Sequence, residues 1–301
     1  MEFDIFKEDL CNLVGNELGN EYETSIKTVT KNNGVVLTGI MAKKNGCNVF
    51  PTLYINDLYE ADISDSEMKR LAVRLSESLQ NSSAPSPDVL DDIFDLDKVR
   101  DRIAFKLINT RRNADILSEI PHRSFLDLTV AYYIDVSNDV PGNGGTATVL
   151  IRDNIMTRWD TDEERLYGIA MYNMKRNSPD HILTMEEIIR EKTNFIYDDP
   201  GIVMYVLTNK DQMFGASALL YGSAMKQLSK ELDRNLYILP SSVHELILLP
   251  QDGESDCRAL LNIVCEVNKT EVPDEEILAD SVYTYDRDSD EVSLVAQKDE
   301  N

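Results

Sequence analysis

Ser242 and His244 are the two residues whose types and spacing could support nucleophilic catalysis. They lie two positions apart, and side chains two apart in an extended chain point the same way, so the hydroxyl and the imidazole could meet. Glu245 would point to the opposite face, so a catalytic triad would need its acid from elsewhere. The alternative is a turn in which the serine hydroxyl bonds to backbone groups and His244 is a hydrogen-bonded structural residue. The spacing leaves both interpretations open.

A second candidate site would bind anions at the start of a predicted helix. Asn209 and Lys210 follow a predicted buried strand, and Gly215 and Ser217 begin the helix after it. Backbone N–H groups at a helix N-terminus bind anions, and the Lys210 ammonium group could add to that attraction. The segment lacks the glycine spacing of a phosphate-binding loop. The alternative is that Gly215 and Ser217 only permit close packing of the helix.

A third candidate site is a basic segment, which we predict to be a helix from about Lys98 to Thr110. Its candidate ligand-binding residues, Arg100, Arg102 and Arg111, could hold an anion or an acidic peptide. The segment is the one basic island in an acidic chain, with Lys98, Lys106 and Arg112 as its further cations and Asp101 as its single acid. The alternative is that these cations pair with acidic side chains of the same chain.

The net charge limits the partners that we expect. The chain has 301 residues and a formal net charge of −24, while its apolar fraction of 42% and charged fraction of 28% are ordinary for a globular protein. Phosphate backbones and anionic membrane surfaces would be repelled over most of such a surface, so we expect neither nucleic acid nor membrane as a partner. No apolar run approaches the length of a membrane-spanning helix. The acidity either serves solubility or presents an acidic face to a basic partner.

The sequence predicts no metal ion and no cofactor. It contains no glycine-rich nucleotide-binding motif, no GxSxG motif and no HExxH motif. Of its three histidines, His122 and His181 are expected in loops, so a site built from several histidines is not predicted. The cysteines form no CxxC pair and are Cys11, Cys47, Cys257 and Cys265. We therefore expect reduced thiols and a cytoplasmic location.

The elements that must position these residues predict an α+β fold in two parts. The first is a small unit in which a helix, a meander of three strands and a second helix follow one another. The predicted strands are Thr24–Thr30, Val35–Ala42 and Asn48–Ile55, with a hairpin at Asn33-Gly34. The second helix carries Met68, Leu71, Leu75 and Leu79 at helical spacing.

A polar segment with two prolines, residues 81–88, marks the predicted boundary between the two parts. We therefore expect an N-terminal unit over residues 1–81, a linker with an acidic segment over 82–96, and a larger domain over 97–301.

The larger domain is predicted to be a mixed α/β domain with a central strand-helix-strand-strand core. These four elements are Ile202–Leu207, Gly215–Leu232, Leu236–Leu239 and Leu246–Leu249, with a polar loop over Thr208–Gln212. Before this core we predict a strand over Ser124–Val136 that pairs with Thr146–Ile151, and helices that begin near Asp160 and at Thr184. A final hairpin joins Ser281–Tyr285 to Val292–Val295.

The chain resembles a known bacterial family of unknown function, DUF5688, over nearly its whole length. The segments that carry the resemblance are VTKNNGVVLTGI at Val29–Ile40, PTLYI at Pro51–Ile55, KVRDRIAFKLINTRRN at Lys98–Asn113, IPHRSFLDLTVAYY at Ile120–Tyr133, MYVLTNKDQMFGASALLY at Met204–Tyr221, LYILPSSVHELILLP at Leu236–Pro250 and ILADSVYTYDR at Ile277–Arg287. A fainter likeness, in the order of strands and helices alone, is to DUF1444, another uncharacterised family. The resemblance implies one cytoplasmic protein and assigns no role to any residue.

These observations lead to one expected function and two alternatives. We expect a non-enzymatic cytoplasmic binding or accessory protein that contacts another protein, because the catalytic motifs are missing and the small N-terminal unit suits docking. The first alternative is a hydrolase-type enzyme that uses Ser242 and His244. The second is an anion or nucleotide sensor built on Lys210, the Gly215 helix start and the basic segment.

Overall fold

A computed structural model describes residues 1–46, 51–82, 91–139, 147–193, 203–240, 242–253 and 256–298. The fold is α+β, as predicted, and its contacts divide the chain into two compact units. Unit 1 comprises residues 1–99 and 135–149, and unit 2 comprises residues 100–134 and 150–301. Most of the predicted linker, residues 83–90, lies outside the described residues.

Unit 1 contains the predicted helix-meander-helix arrangement. The helices α1 (Phe3–Leu18) and α2 (Asp65–Asn81) pack on one face of an antiparallel sheet of β1 (Tyr22–Thr30), β2 (Val36–Lys44) and β3 (Thr52–Tyr54). The core between them contains Phe6, Leu10, Val14, Ile40, Met68, Leu71, Leu75 and Leu79. The apolar spacing of the second helix therefore predicted its buried face correctly.

The predicted Asn-Gly hairpin joins β1 to β2. Asn33 and Gly34 both have a left-handed backbone, with φ of 61° and 71°. The Lys31 N–H donates to the Val35 carbonyl across the turn at 2.7 Å. Asparagine and glycine tolerate this conformation better than other residues, which is why the dipeptide predicts the turn.

Two further sheets follow in the chain. One has the order β4-β6-β5, with β7 also paired to β6, and its strands are β4 (Ile103–Asn109), β5 (His122–Phe125), β6 (Leu128–Asp135) and β7 (Thr148–Leu150). The other is antiparallel with the order β13-β12-β10-β11-β9-β8. Its strands are β8 (Asp180–Thr184), β9 (Tyr205–Asn209), β10 (Leu236–Leu239), β11 (Leu246–Pro250), β12 (Ser281–Asp286) and β13 (Glu291–Gln297).

The further helices whose bounds lie within the described residues are mostly short. They are α3 (Leu96–Val99), α4 (Ala114–Leu117), α5 (Asp153–Arg158), α6 (Glu163–Asn177), α7 (Met185–Thr193), α8 (Ala218–Tyr221), α9 (Ala224–Leu232) and α10 (Cys257–Thr270). Leu261 and Val264 of α10 pack against Leu239, Leu249 and Val282 on one face of the six-stranded sheet. In the part of the chain that the structure describes, we find no helix with both the length and the apolar character to span a bilayer.

The prediction of a helix over Lys98–Thr110 is wrong. α3 ends at Val99, a 3-10 turn spans Arg100–Arg102, and the rest of the segment is β4. Ile103, Phe105 and Leu107 are fully buried at alternate positions, and β4 pairs with β6 along its whole length. Apolar residues at every second position are typical of a strand. The helix was predicted from the charged residues of the segment instead of from this apolar alternation.

Two loops and one strand were also predicted incorrectly. The segment Ser124–Val136 is two strands, because the chain reverses at Leu126 and Asp127, where Leu126 has a φ of 54°. His122 lies in β5 and His181 lies in β8, so neither is in a loop. Polar residues in and beside both short strands obscure their apolar pattern, so the sequence did not predict them. The helix start near Asp160, the start at Thr184 and the final hairpin are confirmed.

The central strand-helix-strand-strand core is confirmed with two corrections. β9 runs from Tyr205 to Asn209, so Thr208 and Asn209 are in the strand; Ile202 lies outside the described residues. The single helix predicted over Gly215–Leu232 is a 3-10 turn followed by α8 and α9. Its break has a physical cause, because the Asp180 carboxylate accepts hydrogen bonds from the Ser223 and Ala224 N–H groups and caps α9.

Candidate functional site

His244 lies in the connection between β10 and β11 with 30% of its side chain exposed. Its Nδ1 atom accepts a hydrogen bond from the Phe214 backbone N–H at 3.2 Å. An acceptor role for Nδ1 assigns the proton of the neutral ring to Nε2. The Nε2 atom lies 3.7 Å from the Glu276 carboxylate. Both nitrogens of the imidazole therefore face groups other than a serine.

Ser242 has a different partner from the one that catalysis would need. Its hydroxyl accepts a hydrogen bond from the His244 backbone N–H at 3.0 Å, and the residue is buried and bridged to Ile277. In the described part of the chain, the Ser242 hydroxyl and the His244 imidazole are not hydrogen-bonded to each other. Glu245 is exposed. This geometry favours the turn over a serine–histidine pair.

The His244 ring belongs to an aromatic stack. It lies parallel to the Phe214 ring, with centroids 5.6 Å apart and planes 11° apart. The Lys106 ammonium group lies 4.6 Å from the centroid of the Phe214 ring, and Tyr133 meets that ring edge-on at 5.3 Å. Stacking and cation–π contacts of this kind stabilise the ring that they surround. Lys106, a cation of the predicted basic helix, therefore contributes to packing from β4.

The candidate anion site at Asn209–Ser217 is closed by its own side chains. The Asn209 amide donates to the Met213 carbonyl at 2.8 Å and accepts from the Met213 N–H at 3.2 Å. The Ser217 hydroxyl donates to the Phe214 carbonyl at 2.6 Å, and both polar side chains are buried. Gly215 has no room for a Cβ atom, which would clash with Thr208 Oγ1 and the His244 carbonyl. These contacts favour close packing; Lys210 is exposed beside them.

The structure does not bring the basic candidates together. Arg100 and Arg102 precede β4, and Arg111 follows it. A strand of this length separates its ends by about 20 Å, because each residue adds about 3.3 Å. Arg112 pairs with Asp280 at 3.4 Å. The three arginines therefore do not meet at one place where they could bind a single anion. Lys98, which contacts Asp92 at 2.5 Å, and Arg112 both form ion pairs within the chain.

A partly buried polar network that the sequence did not reveal lies at the start of α6. Arg123 donates to the Glu163 carboxylate through Nε at 3.1 Å and Nη2 at 2.9 Å, and its guanidinium lies 4.0 Å from the centroid of the Tyr167 ring. The Tyr132 hydroxyl donates to the same carboxylate, and Glu164 also pairs with Arg123. The one signal in the sequence was the pair of acids in the first turn of a helix, which is common.

Hydrogen bonds within this network keep Glu163 ionised and Tyr132 neutral. Burial would raise the pKa of Glu163, but the hydrogen bonds from Arg123 and Tyr132 outweigh it and the pKa is lowered. Burial, together with the hydrogen bond to Glu163, raises the pKa of Tyr132 far above its ordinary value. An ionised carboxylate, a guanidinium and a neutral phenol satisfy one another here. The network therefore anchors α6 to β5 and β6.

Unit 1 carries a groove that no sequence pattern indicated. It has a volume of 760 Å³ and lies between the 57–63 connection and α2. Its apolar lining consists of Leu58, Ile63, Leu71 and Val73. Acids lie on the connection at Asp57 and Glu60, while α2 carries the cations Lys69, Arg70 and Arg74 and one acid, Glu67, which lies 3.9 Å from Arg70. The groove therefore combines an apolar floor with an acidic wall and a mainly basic one.

A second groove, of 510 Å³, lies between α10 and β13 in unit 2. Cys257 and Cys265 line it together with Arg258 and Lys298. Burial, together with the nearby Asp280 carboxylate, raises the pKa of Cys265. A thiol with a raised pKa is a poor nucleophile, so Cys265 is not an activated cysteine.

Comparison with known proteins identifies one family. The sequence model described as "Family of unknown function (DUF5688)" matches residues 3–287. No curated protein matches the chain. No solved structure matches it either.

Proposed function

Because the chain belongs to the DUF5688 family, whose function is unknown, we propose from the geometry that it is a non-enzymatic bacterial cytoplasmic protein that binds another protein through the groove beside α2. The observation that carries this proposal is the groove itself, with its apolar floor and charged walls. Its volume is within the range of about 300–1,000 Å³ that ligand and side-chain pockets occupy.

The lining of the groove suits the side chains of a partner protein. Val73 is 39% exposed on α2, while Leu58 and Ile63 are half-buried opposite it. An apolar anchor from a partner would cover these three side chains, which is the usual centre of a binding site. The acids at Asp57 and Glu60 and the cations on α2 would then select the orientation of that partner.

The contacts of the catalytic candidates also support binding over chemistry. A hydrolase needs the Ser242 hydroxyl beside a base, and here that hydroxyl accepts from the backbone of His244. An anion sensor at Gly215 needs open donors, and there the Asn209 and Ser217 side chains bond within their own loop. Neither alternative has an observation of its own in its favour.

The cytoplasmic part of the proposal is supported by Cys11, Cys257 and Cys265, which are free thiols. Burial raises the pKa of Cys11 and of Cys265, which lowers their reactivity. Fractionation of native cells followed by immunodetection tests the location, and recovery outside the cytoplasmic fraction would contradict it.

The groove is tested by comparing the partners of matched variants. Wild-type protein, Val73→Glu and Ile263→Glu are each crosslinked in native cells, and the captured proteins are identified by mass spectrometry. Ile263 is the matched control, because it is an exposed apolar residue of α10, far along the chain from the groove. We expect a partner that is captured by wild type and Ile263→Glu and lost from Val73→Glu.

The captured partner is then purified and titrated against the same three proteins by calorimetry. Equal affinity for wild type and Val73→Glu would overturn the groove proposal. Hydrolysis of a panel of chromogenic esters by wild type, lost in Ser242→Ala and in His244→Ala with unfolding free energies unchanged, would replace it with the hydrolase alternative.

A further inference from the structure

β1 is a long edge strand in the described part of unit 1. It has nine residues, and it pairs with β2 alone among the strands that the structure describes. Exposed edges present rows of backbone donors and acceptors, and natural proteins usually keep them short or cover them. A nine-residue edge therefore calls for a functional explanation.

The hydrogen bonds at both ends of the hairpin fix which residues of β1 face outward. The Lys31 N–H donates to Val35, and the Asn45 N–H donates to Glu21. Backbone groups alternate in an antiparallel pair, so the odd-numbered residues of β1 bond to β2. Thr24, Ile26, Thr28 and Thr30 consequently direct their N–H and C=O groups toward the free edge. This spacing of donors and acceptors is the one that a peptide strand matches.

The outer face of the sheet beside this edge is basic and apolar. α1 and α2 cover the face that carries Ile40, so the odd-numbered side chains of β1 lie on the other face. Lys27 and Val29 are exposed there, and the Lys31 ammonium group lies 4.4 Å from the centroid of the Tyr54 ring. Lys27 and Val29 of β1 and Lys31, the residue after it, thus follow one another along one strip of this face.

This strip contrasts with the charge of the whole chain. The net charge is −24, yet the acid of β1 on this face, Glu23, lies opposite Lys43 of β2. Lys27 lies opposite Gly39, which offers no carboxylate. A local excess of positive charge on an acidic protein favours a ligand with negative charge at this place.

We propose that β1 is a docking edge for an extended acidic segment of a partner protein, which adds to the sheet of unit 1 as a fourth strand. Its backbone bonds to the outward groups of β1, and its alternate carboxylates lie beside Lys27 and Lys31. An apolar side chain between them lies beside Val29. Strand addition of this kind draws affinity from main-chain hydrogen bonds and specificity from alternate side chains. The surface is distinct from the groove beside α2.

Two other occupants fit the edge less well. A second copy that paired through its own β1 would double the lysines along the strip, and like charges across strands destabilise the pairing. A nucleic acid has no alternation of N–H and C=O groups to match the edge, and its long polyanion meets the repulsion of a chain with net charge −24.

The test uses a capped synthetic peptide of about eight residues that alternates Asp and Val, a length typical of one strand. Binding of the labelled peptide to the full chain is measured by fluorescence anisotropy at low salt. We expect saturable binding, a loss of roughly tenfold or more in affinity for Lys27→Glu, and a change of less than about twofold for Lys175→Glu. Lys175 is the matched control, because it is an exposed lysine on α6, it lines neither the strip nor the groove beside α2, and the charge change is the same.

A second arm uses the wild-type protein and therefore does not depend on the folding of a variant. The same peptide with alternate backbone nitrogens methylated keeps its charges and loses its donors, and we expect its binding to disappear. Equal binding of the methylated peptide, or equal weakening by Lys27→Glu and Lys175→Glu, would overturn strand addition. Binding of single-stranded oligothymidine that depends on Lys27 would assign the strip to nucleic acid and overturn the proposal as well.

Discussion

Replacing His244 with alanine removes two of the contacts that hold Phe214 in its conformation. One is the hydrogen bond from the Phe214 N–H to Nδ1, and the other is the parallel ring stack. Phe214 has a φ of 51°, in the left-handed region that disfavours residues with a side chain. That conformation costs about 1–2 kcal/mol for a non-glycine residue, so it persists only where neighbours support it.

The expected loss of stability can be built from these contacts. A donor that loses its partner on burial costs about 1–3 kcal/mol, and the lower part of that range applies because the His244 side chain is 30% exposed. An aromatic pair contributes about 0.5–1.5 kcal/mol beyond the area that it buries. We therefore expect His244→Ala to lower the free energy of unfolding by about 2 kcal/mol.

Urea unfolding followed by circular dichroism measures this loss, with two variants as controls. His244→Asn retains a side-chain acceptor near the position of Nδ1 and loses only the stack, so its loss should lie between that of His244→Ala and zero. Ser242→Ala removes one acceptor for a single backbone N–H and should cost less than His244→Ala. Hydrogen exchange at the Phe214 amide should accelerate in His244→Ala and much less in His244→Asn.

An unfolding free energy of His244→Ala equal to that of wild type would refute this reasoning. It would mean that Phe214 keeps its backbone conformation without the imidazole, so the residue would be free for another role. The same result, together with lost ester hydrolysis in that variant, would favour the catalytic alternative.

Two further predictions follow from the packing of Gly215 and from the partly buried charges around Glu163. Gly215→Ala should lower the free energy of unfolding by about 3 kcal/mol or more, because its Cβ would meet Thr208, the His244 carbonyl and, at 2.8 Å, the Asn209 N atom. The control Gly168→Ala, which has no atom within 4 Å of its Cβ, should raise the free energy of unfolding by up to about 1 kcal/mol, and equal thermal midpoints for the two variants would contradict the packing. The lowered pKa of Glu163 stabilises the fold above its ordinary value of 4.5, and that contribution is lost as pH falls through the folded-state pKa. Arg123→Gln removes one of the groups that lower the pKa of Glu163, so burial raises that pKa relative to wild type. Acid unfolding should therefore begin at a higher pH than in wild type or in the exposed control Arg165→Gln. Coincident acid transitions would contradict the network.

Local patterns predicted the parts of the fold in which neighbouring residues decide the structure. Asn33 and Gly34 turn the chain because their own conformational preferences suffice, and α2 buries Met68, Leu71 and Leu75 because helical spacing puts them on one face. The cap of α7 at Thr184 and Glu187 is likewise a contact across one turn of helix. Each of these features needs no partner from a distant part of the chain.

The errors occurred where a distant partner decides the structure. The segment after Val99 is a strand because β6 lies beside it, and the helix start at Ala224 depends on the carboxylate of Asp180. Lys106 illustrates the consequence for function. From the sequence it counted only as a further cation of the basic segment, whereas the structure puts it over the ring of Phe214, more than a hundred positions away.

The Ser242–His244 pair shows why the spacing of two residues could not assign their chemistry. The argument for catalysis assumed an extended chain, in which both side chains share a face. The backbone instead turns, so the serine hydroxyl meets the His244 N–H, and the imidazole meets a backbone donor that is thirty residues earlier in the sequence. Support of a left-handed phenylalanine constrains the position of His244 without any chemistry. The same residue types at the same spacing can therefore serve a structural or a catalytic role, and the contacts of the third group, here Phe214, favour the structural one.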